Sequence, residues 1–324
     1  MTNKPNSLKN IFQKHFFPFW KSNSSKFPKE IHSDILDNIG KFLNCGDISQ
    51  GYTALYCKKC NHIHTIPFSC KSRFCSSCGK TYAENWALKL QDSLINTTHI
   101  HAVFSLPTGF IRDFFFKHRF KLADLATAAY KALKYAFKKV GIYSFGTVIN
   151  IHTFSRDLNW NPHIHALITL GGFNKSNYWK TIKNLPWLPL KKSWQKLTLD
   201  IIYKVAKANN NTYLKNNISL VYRKYPKGFY VNADSKVNNS FELGKYLGRY
   251  LARPAIAEYR ITKVTDSSVT FWFEKPDSNF KEEITLPISQ FIGRLISHIP
   301  PKHFKMIRRF GLYARHTKIK YPRR

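Results

Sequence analysis

From His163 to Leu170 an apolar residue recurs at every second position. Ile164, Ala166, Ile168 and Leu170 fall on one face, His163 and His165 on the other, and Gly171-Gly172 stops the run. That period of two is the mark of a half-buried strand. Gly146–Phe154 is β-branched and reads as a second strand, and His99–Leu106, closed by Pro107, as a third. A helical period runs through Glu30–Phe42 and through Tyr82–Leu94, where Trp86, Leu90 and Leu94 share a face. It also marks Phe114–Val140, which reads as one long helix, and Phe241–Arg253, which Pro254 ends. Between these, Arg156–Pro162 reads as a turn and Asn174–Asn216 as partly helical. Ser219–Tyr225 and Gly228–Asn232 read as strands, and Thr262–Glu274 as a hairpin turning at Asp266-Ser267-Ser268. The entry before Glu30 is polar and rich in Lys, Asn and Ser, and Ile288–Arg324 is a basic, partly helical tail. The expected class is α+β.

Charge changes the picture. Lys and Arg number 52 against 18 Asp and Glu, a formal +34 spread along the whole chain. Such a chain repels itself unless it meets a polyanion, so nucleic acid is the expected partner. Aromatic residues make up 15% of the chain, which supplies rings on which unpaired bases can stack. No run of about 18 apolar residues exists and the first residues hold no apolar signal core, which sets membrane insertion and secretion aside. A cytoplasmic location at a bacterial-type nucleoid is expected.

All six cysteines lie between Cys45 and Cys78, and clustering of this kind suits metal rather than disulfides. Cys57-x-x-Cys60 and Cys75-x-x-Cys78 each offer two thiolates on one side of a tight turn, and together they make the expected structural zinc site. Cys45 and Cys70 remain, with His62 and His64 nearby, either as a second zinc site or as buried small hydrophobes. A closed four-thiolate shell leaves no open position for chemistry.

Two further constellations carry chemistry. His163 and His165 lie about 7 Å apart along one strand face, close enough to chelate one ion. His99-Ile-His101 has the same spacing, and spacing does not choose between the pairs. In Asn239–Pro254, Tyr246 and Tyr250 stand one helical turn apart, with Lys245, Arg249 and Arg253 as a basic stripe beside them. Gly244 and Gly248 remove bulk that would keep another element away. Without context these are two core tyrosines on an amphipathic helix, and Asn239 with Glu242 has capping-box spacing.

The order of cysteine knuckles, His-x-His strand and tyrosine pair resembles the two-tyrosine HUH transposases of rolling-circle insertion sequences, the IS ninety-one type. The likeness extends through Ile151–His165, through Tyr246–Ile256 and through Phe291–Ala314, although Ser155 stands where the family commonly has glycine. The resemblance implies an HUH-endonuclease-type antiparallel sheet with packed helices. A small zinc-binding domain would precede it and a basic C-terminal region would follow, divided at 1–95, 96–260 and 261–324. It selects His163 and His165 as ligands of a catalytic Mg²⁺ or Mn²⁺ and places His101 on the first catalytic strand. The third ligand stays open between His152 and Asp157, with Glu242 behind them. Tyr246 and Tyr250 become the nucleophiles and Lys245, Arg249 and Arg253 the DNA contacts. The implied activity is nicking and rejoining of single-stranded transposon ends and target through a 5′-phosphotyrosine. The alternative is a non-catalytic zinc-ribbon nucleic-acid-binding protein, which explains charge and cysteines but not the His strand or the tyrosine pair. A zinc nucleobase deaminase is excluded, since the chain has no His-x-Glu and no Pro-Cys-x-x-Cys.

Overall fold

A computed structural model describes residues 8–237, 254–275 and 280–315. The first elements are helices α1 (Leu8–Asn23) and α2 (His32–Leu43), strands β1 (Tyr52–Tyr56) and β2 (Ile63–Pro67), and helix α3 (Ser76–Gln91). Strand β3 (His99–Ser105) follows, then helices α4 (Phe110–Lys117) and α5 (Leu122–Lys139) and strands β4 (Gly146–Phe154) and β5 (Trp160–Thr169). A small hairpin, β6 (Gly171–Phe173) and β7 (Trp179–Thr181), leads to helices α6 (Trp187–Ala208) and α7 (Thr212–Lys224) and strand β8 (Val231–Val237). The last elements are β9 (Ile261–Val264), β10 (Ser268–Glu274), β11 (Lys281–Pro287), helix α8 (Ile288–Ile296) and β12 (Ile307–Gly311). No helix among the described residues is long and apolar enough to cross a membrane.

The chain forms two compact units, each made of separated segments. Of the described residues, the first takes 8–85, 154–159, 254–275 and 280–302. Its core is aromatic: Phe12 meets Phe42 and Phe74 edge-on at 5.9 and 5.2 Å, and Phe271 of β10 lies 5.8 Å from Phe291 of α8. Strands β11, β10 and β9 form an antiparallel sheet in that order. The β4–β5 connection is held in this unit by its carbonyls. Arg260 donates to Arg156 O at 2.9 Å, Arg294 to Asp157 O at 2.8 Å, and the His298 ring lies 3.0 Å from Leu158 O.

Of the described residues, the second unit takes 86–153, 160–237 and 303–315. Its centre is a five-stranded antiparallel sheet in the order β12-β4-β5-β3-β8, so the fold is α+β as expected. Alternation sorts its two faces. Ile100, Ala102, Phe104, Ile149, Ile151, Ile164, Ala166 and Ile168 are all buried in the main core. On that side α5 contributes Ala126, Ala129, Ala132, Leu133 and Phe137, and α6 contributes Trp194, edge-on to Phe104 at 5.4 Å. The alanines favour the helix and let it pack close. On the opposite face, Ala87, Leu90 and Leu94 cover Val148, Leu167 and Tyr313 at one end of the sheet. The same face carries His101, His152, His163 and His165.

Several elements differ from the sequence reading. Helix α1 lies in the polar entry, where Leu8, Ile11, Phe12, Phe16 and Phe19 make a buried stripe that the surrounding Lys and Asn obscure. Phe114–Val140 is not one helix: the chain leaves helical geometry at His118 (φ −116°, ψ 69°), so α4 and α5 meet the core separately. Ser219–Tyr225 is not a strand. Asn211 caps Leu214 N at 3.0 Å, and Leu214, Ile218, Val221 and Tyr225 pack into the core at a helical period. The hairpin at 261–274 gains a third strand, β11, and the C-terminal tail contributes β12, an edge strand of the central sheet.

Candidate metal centres

Hairpin β1–β2 sorts the cysteines. Its base is closed by Gly46 N to Phe68 O and Phe68 N to Gly51 O, both at 3.0 Å, so Cys45 and Cys70 flank the same end. Cys75 immediately precedes α3 and Cys78 lies in its first turn. The sulfur atoms of Cys45, Cys70, Cys75 and Cys78 all lie within 4.8 Å of one another. Contacts among them measure 3.6 Å (Cys45–Cys78 and Cys70–Cys78) and 3.9 Å (Cys45–Cys75). A tetrahedron with zinc–sulfur bonds of about 2.3 Å has edges of about 3.8 Å, so the group fits a structural zinc without rearrangement. The helix N-terminus favours the negative thiolates, and Cys70 N donates to Cys45 Sγ at 3.4 Å. The hydrogen bond between Cys70 and Cys75 draws Cys75 down to about 5 and pushes Cys70 up, and burial raises Cys70 further.

This grouping corrects the partition drawn from Cys-x-x-Cys spacing. Cys57 and Cys60 sit exposed at the hairpin's far end, five strand residues or about 17 Å from its base. They do not join Cys75 and Cys78; Cys45 and Cys70 do. Backbone N–H groups of Cys60 and Lys59 and the Cys60 thiol lower the Cys57 thiol, so the pair keeps the form of a knuckle. His62 and His64 are exposed on the same hairpin and belong to no metal-holding group among the described residues.

The second centre lies on the sheet. His163 and His165 project from β5 on the face opposite the main core, and His152 from the same face of β4; their ring nitrogens lie within 4.8 Å of one another. His163 Nε2 and His165 Nε2 are 2.9 Å apart. Two bonds of about 2.1 Å at a right angle set ligand nitrogens about 3.0 Å apart, so this pair suits adjacent positions on one ion. His152 and His165 are buried and His163 is half-buried, which leaves one side of the group open. His163 Nδ1 is 2.7 Å from Asn161 O, and His152 Nε2 is 2.7 Å from the Asn150 amide. His165 Nδ1 is 2.8 Å from His101 Nε2. Burial, with the neighbouring His163, lowers His101 to about 4. Asp157, another candidate third ligand, does not join the group. Its carboxylate is taken up in its own loop by Ser155 and Asn159, whose hydrogen bonds outweigh partial burial and lower it. Sequence reasoning did not single out Asn150, Asn161 or His101 as supports, although strand periodicity places Asn150 and His152 on one face.

Tyr246, Tyr250, Lys245, Arg249, Arg253 and Glu242 lie outside the described residues.

Comparison with known proteins finds transposases. A family model described as a putative transposase matches residues 146–320, and one described as a transposase zinc-binding domain matches residues 11–106. The transposase for insertion sequence element IS801 of Pseudomonas savastanoi pv. phaseolicola is 28% identical over 292 residues, covering 86% of this chain and 70% of that protein. The putative transposase y4qJ of Sinorhizobium fredii is 23% identical over 276 residues, covering 79% of this chain and 68% of that protein. No solved structure matches the chain. The first family match spans more than half of the chain and contains both strands of the histidine centre, and the second contains all six cysteines; the chain belongs to the transposases of the IS ninety-one type, with an N-terminal zinc-binding domain.

Proposed function

We propose that this chain nicks and rejoins single-stranded DNA with a tyrosine nucleophile beside a divalent ion held by His152, His163 and His165. The observation that supports this reading best is the convergence of three imidazoles, from two strands, on the face of the sheet away from the core. A Mg²⁺ or Mn²⁺ bound there supplies a Lewis acid for a phosphate oxygen. The residues of the chain do the rest. The open side at half-buried His163 admits a phosphate while buried His152 and His165 stay fixed. The Tyr246 or Tyr250 oxygen attacks phosphorus in line, the bond to the 3′-oxygen breaks, and that oxygen takes up a proton. The products are a 5′-phosphotyrosine and a free 3′-OH. One ester replaces another, so the reverse attack by a 3′-OH rejoins DNA without ATP. Two tyrosines allow one end to be held while a second is cut, and Lys245, Arg249 and Arg253 suit the backbone of that strand. DNA is the partner, in keeping with the +34 charge and the transposase relatives. The zinc centre of Cys45, Cys70, Cys75 and Cys78 is structural on this reading, since all four positions on the ion are filled.

The test is cleavage of labelled single-stranded transposon-end oligonucleotides by wild-type protein and by His152→Ala, His163→Ala and His165→Ala. The reading predicts cleavage by the wild type in Mn²⁺ or Mg²⁺, none in a chelator, and a loss of about 100-fold or more in each variant with oligonucleotide binding retained. Cleavage that survives all three substitutions contradicts it. Binding with no cleavage by the wild type under any divalent ion favours the non-catalytic zinc-ribbon reading.

A further inference from the structure

The two His-x-His pairs look equivalent in sequence but take different places in the sheet. Strands β3 and β5 are neighbours, with His101 paired to Leu167 and Val103 to His165, so His101 stands diagonally beside His165 on the same face. His99 turns away, its Nε2 2.5 Å from the Tyr313 hydroxyl. We propose that His101 is a positioning residue of the histidine centre: its Nε2 accepts the Nδ1–H of His165 and thereby keeps His165 Nε2 bare and aimed at the ion. The proposal rests on the reading of His152, His163 and His165 as a metal centre.

The argument is one of proton placement. A neutral imidazole carries one N–H, and the nitrogen that binds an ion must be the other one. His165 Nε2 faces His163 Nε2 at 2.9 Å, so the proton belongs on Nδ1, which needs an acceptor in a buried place. His101 Nε2 lies 2.8 Å away. The two rings are within 5° of parallel with centroids 5.0 Å apart, and His101 is 1% exposed. A nitrogen separation this much shorter than the centroid separation means the rings meet edge to edge, with N–H directed at a lone pair. The usual partner of a metal-bound histidine is a carboxylate or a backbone carbonyl. His163 uses a carbonyl, Asn161 O, and His165 uses an imidazole. Both acceptors are uncharged. An ion on these ligands keeps its positive charge for the phosphate, and its affinity is held below what an anionic acceptor gives.

The test measures Mn²⁺ binding to the full, zinc-loaded chain without DNA, by the electron paramagnetic resonance of free Mn²⁺. His101→Leu removes the acceptor and is expected to weaken binding 10- to 100-fold. His101→Gln, whose amide oxygen accepts the same hydrogen, is expected to stay within about threefold of wild type, and His101→Glu, with an anionic acceptor, to bind more tightly than wild type. Equal binding by wild type and His101→Leu overturns the proposal. So does a His101→Gln variant as weak as His101→Leu, because that pattern means filling space rather than accepting a hydrogen. Should His101→Leu fail to fold, His101→Glu binding more weakly than His101→Gln overturns it instead. His163→Ala separates the two levels. Loss of the Mn²⁺ site there with no effect at His101 rejects this proposal alone, and unchanged binding there rejects the metal centre and this proposal with it.

Discussion

The cysteine grouping makes a prediction that the spacing of the cysteines contradicts. Cys70→Ser removes one of four converging thiolates, whereas Cys57→Ser with Cys60→Ser removes two exposed thiols at the far end of the hairpin. Structural zinc sites of this kind contribute about 10–16 kcal/mol of apparent binding free energy, so one ligand in four accounts for about 2.5–4 kcal/mol. At about 1.4 kcal/mol per factor of ten, Cys70→Ser weakens zinc binding roughly 10²- to 10³-fold. The double variant leaves the sulfur tetrahedron, with its contacts of 3.6 to 3.9 Å, untouched. The assay is competition for zinc with a chromogenic chelator, with metal content per chain measured by mass spectrometry. Tight binding of at least one zinc by the double variant, and its loss in Cys70→Ser, is the expected result. The converse, tight zinc in Cys70→Ser and none in the double variant, refutes the grouping and restores the knuckle-to-knuckle site.

Three other predictions follow from the sheet. Phe104→Ala hollows the core face beside Trp194 and is expected to destabilise the second unit by about 3–5 kcal/mol in chemical denaturation, while the folded fraction still binds Mn²⁺. In metal-free protein, burial and then His163 hold His101 near 4 against an ordinary 6.5, so the unfolded chain takes up this proton first. Stability from this group is full above about pH 6.5 and falls by up to about 3 kcal/mol as pH drops to about 4; unfolding midpoints that do not change over that window argue against a buried neutral His101. Asp157→Asn leaves Mn²⁺ affinity within about twofold of wild type, because its carboxylate serves the loop of Ser155 and Asn159; a tenfold loss by titration makes it a ligand after all.

Much of the central sheet was legible because alternation is a local signal. Strand β4 runs over the predicted Gly146–Phe154, and the face bearing His163 and His165 follows from the burial of Ile164, Ala166 and Ile168. What failed were signals set by partners distant in sequence. The Ile307–Gly311 strand is five residues with two arginines and becomes a strand by pairing with β4. Val221 and Tyr222 favour a strand intrinsically, and the Asn211 cap with the buried Ile218 stripe overrides them. The cysteine partition depended on where hairpin β1–β2 closes, which spacing does not encode. The twin His-x-His pairs could not be ranked by spacing because both lie on one face of neighbouring strands, His165 toward His163 and His101 behind it. His152 was one of three candidates, and the pairing of distant strands brings it to the other two imidazoles.

The central claim is a tyrosine ester formed beside the histidine centre, and the sequence itself provides a way to read it. Trypsin cuts after Lys245 and Arg249 but not between Arg253 and Pro254, so Tyr246 and Tyr250 fall in separate peptides, 246–249 and 250–260. Wild-type protein incubated with a labelled single-stranded transposon end and Mn²⁺, then digested and analysed by mass spectrometry, is predicted to carry a 5′-linked nucleotide on one or both of these peptides. The same adduct is predicted to vanish in His163→Ala. A covalent adduct on any other peptide, or one that persists in the Tyr246→Phe, Tyr250→Phe double variant, contradicts the account.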